Sequence, residues 1–241
     1  MIDRLNRSSY FVIVSFLFML LLFSGTLSPI LGAQSLNIFP PESKPYGLTF
    51  AEHQKNFWKW LLEIPANESP VNDRTGEKCA NGQSNTNSSV FYLSMNIGGI
   101  SERTCKVPVG KGLLIPVMQV EWSDKEAPGA SVEELHKSAK KDQDSVNSLY
   151  LKIGDKEYKY KDLIKYRTET DVFKVVFPDN GIFGVIEGGI SNVVSDGFYI
   201  ITEPLIRGNY SIHFKSSLIC PDPGCAEPNF AQDIKYNIVA E

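Results

Sequence analysis

The run Thr49–Gln83, TFAEHQKNFWKWLLEIPANESPVNDRTGEKCANGQ, decides how the chain is read: an aromatic-rich helix, a loop dense in Pro, Asn, Asp and Gly, then a cysteine. Thr49 followed three residues later by Glu52 is a capping box, in which hydroxyl and carboxylate each satisfy a free backbone N–H. Pro65 is a stop signal, because proline drives the residue before it out of the α region. At about 100° per residue, Phe50, His53, Gln54, Phe57, Trp60, Leu61 and Ile64 share one face, which Trp58 and Leu62 widen to roughly 200°. Glu52, Lys55, Lys59 and Glu63 take the opposite side. An arc this wide predicts a helix clasped by the domain, its two indoles burying about 150–250 Å² each. Trp58, at the edge of the arc, reads either as packing or as a contact for a sugar or a protein partner. His53, inside the arc, reads as a hydrogen-bonded core histidine rather than a metal ligand.

The loop after the helix has turn chemistry at Asn72-Asp-Arg-Thr-Gly76: Asn and Asp bond to nearby backbone and Gly takes positive φ. Asp73 is thus an Asx-turn acceptor or a ligand-binding carboxylate. A loop running to Ser89 without periodicity is functional or disordered as a rule, and the cysteine and aromatic flanks argue for order.

Towards the N-terminus, residues 34–47 form a Pro- and Ser-rich extended lead-in. Residues 1–33 read as a signal peptide: Arg4 and Arg7 precede an apolar run from Phe11 to Phe23, and Leu31-Gly32-Ala33 suits cleavage before Gln34. The run is short for a membrane span; an uncleaved segment is the one membrane association expected. No cysteine near the site supports a lipid anchor. Setting this segment aside removes Arg4, Arg7 and Asp3 and takes the net charge from −4 to −5. A mildly acidic, secreted or cell-surface domain follows, and without a basic stripe nucleic-acid binding has no electrostatic support.

Four cysteines in an exported chain predict disulfides. Of the three possible connectivities, Cys79–Cys105 ties the Asn/Gly-rich loop to a strand start, and Cys220–Cys225 brackets the tight turn Pro-Asp-Pro-Gly. A four-thiolate zinc site is the rival, but the spacings are irregular and not two CxxC pairs. The three histidines have no ligand spacing, and neither metal nor cofactor is expected. Asn67, Asn87 and Asn209 head glycosylation sequons.

The remainder reads as strands. Val90–Met95, Cys105–Val109 and Gly112–Trp122 come first, the last nearly continuous in apolar residues and either central or bent at Pro116. Glu121 and Asp124 flank its polar end beside Trp122. Such a pair near an aromatic is a solvated strand end or the acid–base pair of a glycosidase. Ser131 and Glu134 open a second capped helix with Val132, Leu135, Ala139 and Val146 on one side. Leu149–Ile153 and Lys156–Tyr160 flank Gly154-Asp155, a two-residue hairpin turn. Val172–Phe177 follows; Ile182–Ile190 is apolar and glycine-rich, as for bulges or close backbone approach. Ser195-Asp196-Gly197 reads as a turn before strand Phe198–Thr202. Tyr210, Ile212 and Phe214 alternate with Ser211, His213 and Lys215, and Ile234–Val239 closes the chain. The expected architecture is one antiparallel β-sandwich over residues 48–241, jelly-roll-like or alternatively immunoglobulin-like, with two helices in its N-terminal half.

One ordered set of residues is Trp58-x-Trp60, Pro65, Asp73-Arg-Thr-Gly76, Cys79, Gly82-Gln83, Phe91, Cys105-x-Val-Pro-x-Gly110-Lys and Ile115-Pro116, closing with Asp196-Gly-Phe-Tyr, Pro204-Leu and Gly208-Asn-Tyr-x-Ile-His213-Phe. This set resembles a group of exported bacterial and archaeal proteins. The resemblance spans most of the chain after residue 33 and implies export and a shared fold, but no activity. The Cys220–Cys225 loop departs from it.

The sequence supports three functions: a non-catalytic binding or cell-surface module for a glycan or envelope protein, using Trp58, Asp73 and Trp122; a glycan hydrolase with carboxylates from Asp73, Glu121, Asp124 and Glu187; or a self-associating envelope component. The first is preferred, because no nucleophile–histidine or metal motif is present.

Overall fold

The computed structural model describes residues 36–219 and 229–241, and every structural statement refers to these. The signal reading of residues 1–33 and the Cys220–Cys225 pairing lie outside the described residues.

The elements are α1 (Phe50–Leu62), β1 (Val90–Tyr92), β2 (Gly99–Val107), β3 (Gly112–Ser123), α2 (Val132–Asp144), β4 (Val146–Ile153), β5 (Lys156–Lys159), α3 (Tyr160–Leu163), β6 (Arg167–Glu169), β7 (Phe173–Phe177), β8 (Gly189–Ile201), β9 (Gly208–Ile219) and β10 (Asn229–Ala240). The fold is mainly β, with two five-stranded sheets: β1-β3-β8-β6, with β7 also on β8, and β2-β10-β9-β4-β5. Both sheets are mixed, which corrects the antiparallel expectation: β1 runs parallel to β3, and β2 parallel to β10. A parallel pair needs a crossover rather than a hairpin. Here β2, in the other sheet, supplies it between β1 and β3.

Helix α1 has both halves of its capping box: the Glu52 N–H donates to Thr49 Oγ1 at 3.2 Å, and the Thr49 N–H to Glu52 Oε2 at 2.8 Å. Its buried residues include Phe50, His53, Gln54, Phe57, Trp58, Trp60, Leu61 and Leu62, as the wide arc predicts. It packs against β6, β7 and β8. Helix α2 is capped the same way by Ser131 and Glu134. Leu135 and Ala139 meet Val194 in a small second core, while Val193 joins the main one, as strand alternation requires. Val132 is 39% exposed and Val146 begins β4, so neither joins the helix's apolar side as the sequence reading had it.

The apolar run in β3 is buried from Leu113 to Met118. Its register shifts between Pro116 and Met118, while β1 pairs only with Gly112–Leu114. Proline thus sits where no neighbouring strand needs its missing N–H. The turn predicted at Ser195-Asp196-Gly197 is absent: β8 runs unbroken through it. Gly197 is there because β3 passes close by, where an added Cβ would lie 2.7 Å from Gln119 Cβ and 2.8 Å from Met118 O. Asp196 accepts from Arg167 Nη2 at 2.6 Å. The β4–β5 hairpin closes with Ile153 opposite Lys156 around Gly154-Asp155, as read from the sequence.

Candidate functional site

The loop after α1 is cross-linked by Cys79–Cys105. Within it Asp73 is an Asx-turn acceptor. Oδ1 accepts from the N–H of Thr75 at 2.9 Å, from its hydroxyl at 3.0 Å and from the Gly76 N–H at 3.0 Å; Oδ2 accepts from the Lys78 N–H at 2.8 Å. Burial pushes this carboxyl up, but the donors of Lys78, Thr75 and Gly76 outweigh it and hold the carboxyl below its ordinary range. Gly76, at φ +99°, passes so close to Thr104 that a Cβ would lie 2.4 Å from its carbonyl oxygen. Arg103, 1% exposed, anchors the loop from below. Its guanidinium donates to the carbonyls of Asp73 and Ser94 at 2.6 and 2.7 Å and to Tyr236 Oη at 2.5 Å. This ties the Asp73 turn to the segment after β1, and nothing in residue spacing signals it.

That segment forms one wall of a cavity of about 340 Å³. The apolar lining comes from Trp58, Met95, Met118, Phe183, Leu218 and Phe230, and the polar lining from Asn96, Gln119, Glu121, Glu126 and Asp142. Trp58 belongs to the α1 core, 1% exposed, and its Nε1–H donates to Tyr199 Oη at 2.9 Å. Phe183 is 39% exposed and packs edge-on to Trp58, with ring centroids 6.4 Å apart. Its φ of 59° is a left-handed conformation rare outside glycine. Asn96 is satisfied within the protein, accepting from the Gly98 N–H at 2.9 Å and donating to Ser101 Oγ at 2.9 Å.

Glu121 is not a solvated strand end, and its partner is not Asp124; both expectations are corrected. It is 5% exposed, and no N–H or hydroxyl of the protein reaches either carboxylate oxygen. The group facing it is the carboxyl of Glu126, close enough to hydrogen-bond, which requires one of the two to keep a proton. Burial first, then the charge and hydrogen bond of Glu126, push Glu121 well above the ordinary carboxylate range. Glu126 is an exposed residue whose carboxylate accepts from Ser123 Oγ at 2.8 Å. Burial raises it as well, with Ser123 and Glu121 opposing. Among the described residues no Lys, Arg or His lines the cavity.

The other sequence candidates lie elsewhere. Asp124 staples β3 to β8, accepting from the Ser191 hydroxyl and, at 3.2 Å each, from the backbone N–H and Nδ2 of Asn192. Glu187 is an exposed loop residue whose backbone carbonyl accepts from Lys125 Nζ at 3.0 Å. Trp122 packs by the second core, and its Nε1–H donates to Asp142 Oδ2 at 2.9 Å. Of the four proposed catalytic carboxylates, only Glu121 lines the cavity. Glu126 escaped the sequence reading because its acidic neighbours give it no distinguishing pattern. Its position five residues after Glu121, past the strand end, was the available signal.

His53 is 1% exposed, with Nε2 at 2.8 Å from the Pro45 carbonyl. His136 and His213 pair with Glu169 and Asp233 at 2.7 and 2.6 Å. Among the described residues no group of three or more His, Cys, Asp or Glu side chains is arranged to hold a metal ion, and no helix is long and apolar enough to cross a membrane. Asn67, Asn87 and Asn209 are all exposed. Comparison of the chain with protein-family models, curated proteins and solved structures finds no match.

Proposed function

We propose that the protein is an exported, non-catalytic binding module, and that its ligand sits in the cavity over Glu121. The observation that carries this reading is the cavity of about 340 Å³ with its apolar wall, whose lining includes the buried acid Glu121 beside the carboxyl of Glu126. A buried polar group goes unpaired at a cost of about 1–3 kcal/mol, and an apolar cavity with a few convergent polar groups is the usual form of a small-molecule site. The Cys79–Cys105 disulfide supports an oxidising compartment. The cavity's size favours a compact ligand over an extended glycan chain or a protein surface. We also take the two sheets for a sandwich with one shared core, its parallel pairs weighing against a jelly roll.

The hydrolase reading draws less support. Glycosidase carboxyls stand about 5–9.5 Å apart with sugar or water between them, whereas Glu121 and Glu126 lie within hydrogen-bonding reach of each other. Self-association has one observation in its favour: Val176 and Ile190, paired across β7 and β8, are 57% and 70% exposed.

The test is a thermal-shift screen of the protein against small amines, polyols, sugars and carboxylates, repeated on Phe183→Ala. A ligand at about 100 times its Kd adds about 2.7 kcal/mol. The expected result is a hit whose shift shrinks at least severalfold in Phe183→Ala while the unliganded midpoint moves little. A hit that ignores Phe183 places the site elsewhere. Trp58→Ala does not serve, because removing a buried tryptophan costs about 3–5 kcal/mol by itself. Product analysis of any hit separates binder from hydrolase, and sedimentation tests self-association.

A further inference from the structure

We infer that the cavity takes a small organic cation, an amine with an apolar body, whose ammonium is held by the acids Glu121 and Glu126 of its lining. This rests on the binding reading above and names its ligand class. Two independent observations carry it. The first is a half-open space of about 340 Å³ with an apolar wall to which Trp58, Phe183 and Phe230 contribute. The second is Glu121, a 5% exposed residue of that lining, whose covered carboxyl is met by another acid, Glu126, and by no N–H group. An ammonium supplies three N–H donors and no acceptor, which is what two facing carboxylates lack. The aromatic rings add attraction for a cation held over their faces.

Among the described residues the charged side chains of the lining have one sign. The connection after β3 contributes Glu126, α2 contributes Asp142, and α1, β9, β10 and residues 95–97 contribute no titratable side chain to the lining. The adjacent Lys125 is turned away, its Nζ donating to the backbone carbonyls of Glu187 and Gly188 at 3.0 and 2.8 Å. An anion entering here meets three acids and no base. A neutral ligand leaves the shared proton in place, whereas a cation displaces it to solvent, and the proton count separates the two.

The experiment is titration calorimetry of the full chain with benzylamine, benzyl alcohol and benzoate, in two buffers of different ionisation enthalpy. The expected result is binding of benzylamine at least about tenfold tighter than the other two, a difference of about 1.4 kcal/mol, with net proton release. Its affinity rises with pH as the raised carboxyl pair loses its proton. Glu121→Gln and Glu126→Gln, each nearly isosteric, weaken benzylamine at least about tenfold and abolish the proton release, with near-UV circular dichroism reporting an intact fold. Benzyl alcohol binding as tightly as benzylamine overturns the cation inference and leaves the cavity as a site. Unchanged benzylamine affinity in both Gln variants overturns it too, as does absence of binding by all three probes. In that last case the screen above, with Phe183→Ala, still decides whether the cavity binds anything.

Discussion

Asp73 and Glu121 are buried to almost the same depth, 7% and 5% exposed, and the fold treats them in opposite ways. Around Asp73 a tight turn aims the N–H groups of Thr75, Gly76 and Lys78 at the carboxylate. Around Glu121 the backbone is β-strand, whose N–H groups go to the neighbouring strand, and the facing side chain is another acid. The first carboxyl is held below its ordinary range and the second above it. Around Asp73 the donors outweigh desolvation, whereas at Glu121 desolvation and the facing acid act together. The acid ringed by donors is structure, and the acid that meets another acid is the reason to look for a ligand.

The largest expected effect tests the structural side. Replacing Cys79 and Cys105 together by Ser opens a cross-link between residues 26 apart, which by chain entropy costs about 3–4 kcal/mol. Urea unfolding under oxidising conditions reads this directly. Benzylamine affinity should survive, since neither cysteine lines the cavity. Loss of affinity with the fold intact would break the division between the two regions.

Asp73→Ala comes next, at about 2–3 kcal/mol, because several backbone donors lose their acceptor at once. Its sign with pH is set by the lowered carboxyl. The stabilisation is complete above the unfolded aspartate value of about 3.9 and is lost as pH falls through the lower folded value. The gap between wild type and variant should therefore close in strong acid, and a gap constant down to about pH 2 would show that Asp73 acts by packing alone.

Glu121→Gln gives the smallest change, and in the opposite direction. A raised carboxyl contributes stability that is full below the unfolded glutamate value of about 4.3 and is lost as pH rises through the folded value. The variant should match wild type near about pH 4 and exceed it above neutrality by about 1–3 kcal/mol, the scale of an unpaired buried group. Parallel stability curves for the two proteins across that range would remove the contrast with Asp73.

Much of the scaffold is legible in the chain because its signals are local. Thr49 with Glu52 and Ser131 with Glu134 cap the helices through contacts three residues apart. The Gly154-Asp155 turn, the alternation in β9 and the Asx turn at Asp73 are likewise written within a few residues. The Cys79–Cys105 pairing was reachable because only three connectivities exist. The direction of β1 and β2, the close crossing at Gly197, and Arg103 reaching from the Asp73 turn to Tyr236 depend on residues far apart in the chain. The same holds for the cavity. Beside Asp124, Glu121 reads as one more polar residue at a strand end. Only the packing of α1, α2, β9 and β10 around β3 removes it from water, because desolvation comes from the side chains that surround a group and not from its neighbours in sequence.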